Sequence, residues 1–426
     1  MKYALWALIG TWMLVACRPG NLGETSRVTA QNTQPLERHA YAWQAAALES
    51  WAGKPVTGST PELNLWWFAG QVDMASSGPR VEAFPTPPPR DGARIAGLVY
   101  RLRTPVIDWL QTTADEALRI ALTAPLTRMV EAAGLSPTRV QLDFDCPTAK
   151  LNDYARLLAQ FRNALPAAEI SITALPDWLG SPDFRLLLKH VDFYVLQVHG
   201  LSLPVTVNDP APIFDPARAA RYIDEAAAFG VPFHVALPTY GHRQWFRPDG
   251  TFVGISAEIP GNLSASAHIV REERADPVEV AACVRALESR HPASLRGLFW
   301  FRLPAEGDEL NWSLDTFRLV IAGVDPPESL SVELREAEPG LVTVQLHNGS
   351  NRDYRGRAEV RLGLPAGVRA LGEGQRGFAL EQQGTEVVLS GRGPDPGASM
   401  EIGWLRGGGQ EALNTKSINV QVRSLQ

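Results

Sequence analysis

The run Val140-Gln141-Leu142-Asp143-Phe144-Asp145, followed by an amphipathic stretch over 150–165 and then the apolar run Ile170–Leu175, decides the architecture. A short apolar run, a helical pattern and a second short apolar run make a strand–helix–strand unit. Its strands lie parallel because the helix carries the chain back. Side chains alternate along a strand, so Val140, Leu142 and Phe144 share one face and Gln141, Asp143 and Asp145 the other. The apolar face suits a covering layer of helices. The other face holds two carboxylates, which are costly to bury unless paired or used.

The same alternation runs in both directions from this unit. Further candidate strands are Ala40–Trp43, Leu63–Gly70, Ile95–Leu102, Phe193–His199, Phe233–Leu237 and Leu298–Leu303, which brings the total to eight. Several are nearly continuous apolar runs, as strands buried on both faces must be. Helical patterns cover 105–133 (one or two helices), 216–229, 276–290 and 309–322. Gly134, Gly230 and Gly323 punctuate helix ends, and Asp276-Pro277 has the form of an N-cap with proline at the first helical position. Eight such units in about 285 residues predict an α/β fold, a closed (β/α)8 barrel. The alternative is an open doubly wound sheet, but no glycine-rich phosphate loop follows any strand.

Two places depart from the repeat. Residues 74–92 are rich in proline and glycine, so the helix after the second strand is missing. Between the seventh strand and its helix lies a long insert, 240–274, with Trp245-Phe246, the turn Pro248-Asp249-Gly250 and Phe252-Val253. It predicts a hairpin over the barrel mouth. After Asp325-Pro326-Pro327 the pattern becomes alternating strands with Gly/Pro turns, as in Val342-Thr343-Val344-Gln345-Leu346. About seven short strands in about 100 residues suggest an all-β immunoglobulin-like sandwich. The expected limits are 38–324 for the barrel and 325–426 for the sandwich.

At 426 residues the chain is too long for one ordinary core; with 45% hydrophobic and 20% charged residues it is a folded, globular type. A net charge of -6, with no stripe of Lys or Arg, excludes a nucleic-acid partner. Lys2 and the apolar run Tyr3–Val15 suit a signal peptide. The following Leu14-Val15-Ala16-Cys17 resembles the lipobox of bacterial lipoproteins. That resemblance implies lipid on Cys17, a polar tether over 18–37, and a membrane-anchored place in the cell envelope. Arg18, where an Asp would retain the protein at the inner membrane, favours the outer membrane. A monomer is expected. Cys146 and Cys283 are expected to be unpaired, mostly buried thiols.

Two carboxylates this close raise the pKa of one of them, which suits an acid/base group. Active sites of (β/α)8 barrels sit at the C-terminal strand ends, where Asp145 falls. Asp145 is therefore the candidate general acid, and Asp143 tunes it or serves as the second carboxylate. The plainer reading is an Asp that caps a helix or bridges a barrel arginine. The segment resembles the strand-four motif of family 18 chitinase-like barrels, Asp-x-x-Asp-x-Asp-x-Glu. Asp143 and Asp145 match its second and third acids, Val140 replaces the first, and Pro147 replaces the glutamate. In that family the glutamate is the acid and the neighbouring Asp steadies the substrate's acetamido group; Pro147 leaves the first of these roles without a residue.

More broadly, the chain resembles the uncharacterised bacterial domain-of-unknown-function 3142 family over roughly 38–322. The matching stretches are Ala40-Tyr-Ala-Trp-Gln44, Val140–Asp145, Ser171-Ile-Thr-Ala-Leu175 with Trp178, and Gly297-Leu-Phe-Trp-Phe-Arg-Leu-Pro304 followed by Asp308 and Asn311-Trp312. The resemblance implies a sugar-hydrolase-like fold without an assigned activity.

Candidate sugar contacts are Trp43 at the end of strand one, Asp177 after strand five, Gln197 and His199 on one face of strand six, and Tyr240 and His242 after strand seven. Trp300 on strand eight resembles the tryptophan that floors the sugar pocket of chitinase-like barrels. No His-x-His, His-Glu-x-x-His or Gly-x-Ser-x-Gly spacing occurs, so neither a metal, a cofactor nor a serine nucleophile is expected. Two functions remain. One is an envelope glycoside hydrolase with a carbohydrate substrate. The other is a non-catalytic glycan-binding or scaffold protein on a degenerate barrel. An open cleft lined by carboxylates and aromatics favours the first, and a mouth plugged by 240–274 favours the second.

Overall fold

A computed structural model describes residues 31–32, 34–52, 61–84, 95–136, 138–256, 269–308, 310–327, 329–349, 357–394, 397–408 and 413–425. The expected signal peptide, Cys17 and most of the expected tether lie outside the described residues.

The eight expected strands form a closed parallel barrel: β1 (Glu37–Ala42), β2 (Asn64–Ala75), β3 (Ile95–Leu102), β4 (Arg139–Asp143), β5 (Glu169–Ala174), β6 (Phe193–Gln197), β7 (Phe233–Pro238) and β8 (Leu295–Phe301). β8 closes on β1 in parallel, with Trp300 opposite Ala40. The alternation expected in β4 holds. Val140, Leu142 and Phe144 are buried with the helices in the outer core. Gln141 is buried inside the barrel, where it accepts a hydrogen bond from the Tyr41 hydroxyl at 2.6 Å and donates to Ser171 Oγ at 3.2 Å. A separate cluster of Tyr41, Trp66, Val99, Phe193, Val195, Ala236 and Phe299 fills the barrel interior. The Trp66 ring fits only because β3 has Gly97 beside it. A Cβ there would stand 2.5 Å from the ring. Each such buried aromatic contributes about 1.5–3 kcal/mol.

The helices return the chain along the outside. Asp215 and Asp276 cap theirs as sequence predicts for Asp276, each carboxylate accepting two backbone N–H groups ahead of a proline. Two short helices, Ala45–Ala52 and Phe184–Leu188, had no readable period because neither exceeds eight residues. Among the described residues between β2 and β3 there is no helix. The strand runs on, turns, and returns as the antiparallel strand Gly78–Ala83. The insert after β7 is a three-stranded antiparallel sheet of Gly241–Phe246, Phe252–Ser256 and Ile269–Arg274 rather than a lone hairpin, with 257–268 outside the described residues.

The C-terminal region holds two four-stranded antiparallel sheets. Val344 and Leu346 from one sheet meet Val360 and Leu389 from the other in a single core. Cys146 and Cys283 are unpaired, Cys146 buried and Cys283 partly so, and burial pushes both thiols up to about 12.

Candidate functional site

At the C-terminal ends of the strands lies a cavity of about 190 Å³. Tyr41 and Trp43 line it from β1 and its end, Val99 and Arg101 from β3, and Asp143 and Asp145 from β4 and the residues just beyond. Thr173 comes from β5, Val195, Gln197 and His199 from β6 and its end, Ala236 and Tyr240 from β7 and its end, and Phe301 from β8. Of the described residues of the insert 240–274, Tyr240 alone is among the lining residues.

The two carboxylates are held differently. Asp143 accepts from Arg101 Nε at 3.0 Å on one oxygen and from the Thr173 hydroxyl at 2.8 Å on the other. Asp145 is two residues past the last ladder position, exposed to the cavity, and has no hydrogen-bond partner among the described residues. Loss of surrounding water raises its pKa above the ordinary carboxylate value; the nearby Asp143 charge adds to this and Arg101 opposes it. A carboxyl that is free of partners, reachable and raised is the form a general acid takes. Arg101 itself is fixed twice. Besides its bond to Asp143, its guanidinium stacks 4.3 Å from the Trp43 ring centre.

Opposite this group stand His199 and Tyr240. The His199 ring packs nearly parallel to Phe301, with centres 5.7 Å apart, and its Nδ1 faces the Tyr240 hydroxyl at 3.4 Å. Burial lowers the His199 pKa to about 3, so the ring is neutral across the physiological range and is no proton store there. Burial raises Tyr240, which keeps its proton. Gly200 makes the approach possible. Its φ of +67° is left-handed, and a Cβ there would meet the Tyr240 hydroxyl at 2.8 Å.

The structure thus gathers Asp143, Asp145, Gln197, His199, Tyr240 and Trp43 around one cavity. It does not bring in Trp300, Asp177 or His242. Phe299 lies in the interior cluster and Phe301 packs against it, so alternation turns Trp300 outward. It is fully buried edge-on against Phe317 of the last barrel helix, ring centres 5.8 Å apart. The pocket face of β8 is Phe301. Asp177 is exposed on the short turn Pro176–Trp178, away from the cavity, and Trp178 is buried, donating to the Cys146 carbonyl at 2.9 Å. His242 is buried in the insert sheet, its Nε2 accepting from the Gln244 amide at 2.8 Å. Pro147 is exposed at the start of a 3-10 turn and lines nothing. Sequence reasoning missed Arg101, Thr173 and Phe301. A signal for Arg101 existed, since a lone cation near the C-terminal end of an apolar parallel strand needs a partner.

Toward the other end of the barrel, Glu37, His39 and His234 offer three possible metal-ligating atoms within 4.8 Å. The hydrogen bonds point elsewhere. Trp66 Nε1 can only donate, and it donates to His39 Nδ1 at 3.2 Å. The ring proton of neutral His39 is then on Nε2, which donates to Glu37 at 3.0 Å. That bond is the main cause of the lowered Glu37 pKa, while burial lowers both His39 and His234. A cation at His39 Nε2 would require breaking the tryptophan bond, so these residues fit a structural proton-held cluster better than a metal.

Fold and site together define a (β/α)8 barrel with a carboxylate-bearing cavity at the C-terminal strand ends. Residues 106–306 match the family model described as Domain of unknown function (DUF3142), the family that the strand motifs resemble. The match takes in Asp143, Asp145 and the sixth to eighth strands, and is shorter at both ends than the span expected from the motifs. No curated protein matches the chain. Solved structures similar to it include a chitinase from Chromobacterium violaceum (14% identity, TM-score 0.47, covering 68% of this chain and 98% of that one). Others are the spore cortex-lytic enzyme SleL from Bacillus cereus (12%, TM-score 0.44, 68% and 74%) and a GH18 chitinase from Pseudoalteromonas aurantia (11%, TM-score 0.37, 68% and 100%).

Proposed function

We propose that the protein is a glycoside hydrolase of the bacterial cell envelope, held to the outer membrane, as Arg18 favours, by lipid on Cys17. The observation that carries the catalytic reading is the pairing of a free, raised Asp145 with a fixed Asp143 in one aromatic-walled cavity. Asp145 donates its proton to the leaving glycosidic oxygen. Asp143, held by Arg101 and Thr173, is the second carboxylate and faces the positive charge that develops on the sugar; water then adds to the anomeric carbon and returns a proton to Asp145. Trp43 and Phe301 supply apolar walls, and Gln197, His199 and Tyr240 supply neutral polar groups that orient hydroxyls. The full chain is assayed on a panel of envelope and extracellular glycans. Asp145→Asn is expected to lower turnover of whichever glycan is cleaved by about 10²–10⁴-fold, the scale of general acid catalysis. Unchanged turnover removes Asp145 from the mechanism.

One observation favours a second reading, a non-catalytic glycan-binding protein. Asp143 and Asp145 are the only carboxylates among the described lining residues, and Pro147 stands where chitinase-like barrels have their acid. Glycan binding without released products would support it. The anchor is tested separately. Cys17→Ser is expected to move the protein from the membrane fraction to the soluble one, and a variant that stays membrane-bound excludes lipid on Cys17.

A further inference from the structure

We propose that the cavity selects an acidic sugar, with the ligand's carboxylate docked end-on against the two terminal amino groups of Arg101. This rests on the carbohydrate reading above and adds a substrate class to it.

The argument is a count of donors and acceptors. Arg101 uses Nε for Asp143, and among the described residues neither terminal amino group has a hydrogen-bond partner. Asp143 cannot turn to satisfy them, because its other oxygen is held by Thr173. The guanidinium plane is fixed by stacking on Trp43, with Phe68 5.9 Å away on the ring-centre measure, and the group lines the cavity with 37% of its side chain exposed. Its open edge is therefore a rigid, two-pronged donor.

Two more lining residues carry a ring nitrogen without a partner among the described residues, each closed to solvent. Trp43 Nε1 is buried and unsatisfied among the described residues, and an indole nitrogen only donates. His199 is 3% exposed, and its Nε2 has no partner among the described residues. Its Nε2 carries the ring proton when the Tyr240 hydroxyl donates to Nδ1, and accepts in the other tautomer. The open edge of Arg101, with two donors side by side, is matched by an acceptor-rich group. A carboxylate presents two coplanar oxygens at the spacing of a guanidinium edge, and such charge-assisted pairs are about twice as strong as neutral hydrogen bonds. A single sugar hydroxyl satisfies only one prong. Asp143 already neutralises Arg101, so the added anion does not meet a strongly positive pocket. Geometry, rather than bulk charge, makes the selection, and Asp145 remains for a ligand hydroxyl or glycosidic oxygen.

The test is binding of monosaccharides to the full chain by ligand-observed NMR titration. D-glucuronate, D-galacturonate and D-mannuronate are compared with D-glucose, D-galactose and D-mannose. At least one uronate should bind at least about tenfold tighter than its neutral parent, the scale of one charge-assisted hydrogen bond. Arg101→Gln should bring the pair to near equality, with folding checked by circular dichroism. Arg101→Lys keeps the charge but loses the fork, and should retain only part of the preference. Neutral sugars binding as well as their uronates, or a uronate preference intact in Arg101→Gln, overturns the acidic-sugar assignment and leaves the carbohydrate reading standing. No binding by either series overturns both.

Discussion

Asp145 shows how one residue ties function to stability. Its pKa is raised in the folded chain, chiefly because protein replaces water around it. A carboxyl whose folded pKa exceeds its unfolded value stabilises the fold below the unfolded pKa, and that contribution disappears as pH rises through the raised value. In its charged form Asp145 therefore works against folding. Asp145→Asn is expected to raise Tm at pH 7, with the gain shrinking toward pH 4, while turnover falls. A melting series across that window checks the sign, and a variant with lower Tm at pH 7 contradicts it. The same shift orders the pH–rate profile. On the proposed role of Asp145, a general acid that acts in its protonated form, kcat is expected to fall as pH rises through the Asp145 pKa. His199 adds no limb near neutrality, because burial holds it at about 3.

At the scale of the element, β4 and β8 teach opposite lessons about the same alternation. β4 carries polar residues on one face only, so its inward set could be named from sequence, and Gln141, Asp143 and Asp145 do face the interior and cavity. β8 reads Leu298-Phe299-Trp300-Phe301, with large apolar groups on both faces. A parallel barrel strand is buried on both sides, and nothing in such a run marks which side is inside. Trp300 was assigned to the cavity on resemblance, and Phe301 holds that place. Helix caps are the more dependable local signal. Asp276 accepts from the N–H groups of Val278 and Glu279, and Asp276→Ala is expected to cost about 0.5–2 kcal/mol in urea unfolding of the barrel. A change within error would mean that tertiary packing alone holds the start of Pro277–Ser289.

For the molecule as a whole, the barrel and the C-terminal sheets are joined by an ion pair as well as by the chain. Arg392, at the end of the sandwich strand Glu386–Arg392, pairs with Glu272 of the insert sheet. Glu272 also accepts from Arg243 at 3.0 Å and lies 3.7 Å from Arg274. These arginines lower its pKa although burial opposes them. Since Glu272 keeps two cations without Arg392, and Arg392 is 47% exposed, the tie is weakly held. Arg392→Ala is expected to change unfolding free energy by less than about 1 kcal/mol, as exposed ion pairs do. A larger loss in calorimetry would show that the two regions unfold as one unit.

The architecture was legible because it depends on periodicity. Eight short apolar runs, five of them followed by a helical pattern, leave few alternatives to a closed parallel barrel, and all eight strands stand within a few residues of where the runs are. The carboxylate pair was legible for the same reason, since two Asp at a spacing of two must share a face. What tertiary structure alone decided was which distant residues meet them. Arg101 and Thr173 lie 42 and 30 residues from Asp143, on the two strands that flank β4, and the His199–Tyr240 contact spans 41 residues. Alternation within one strand is a property of its own backbone. Register between strands, and so the choice of partners around a cavity, is set only when the sheet closes and the interior packs.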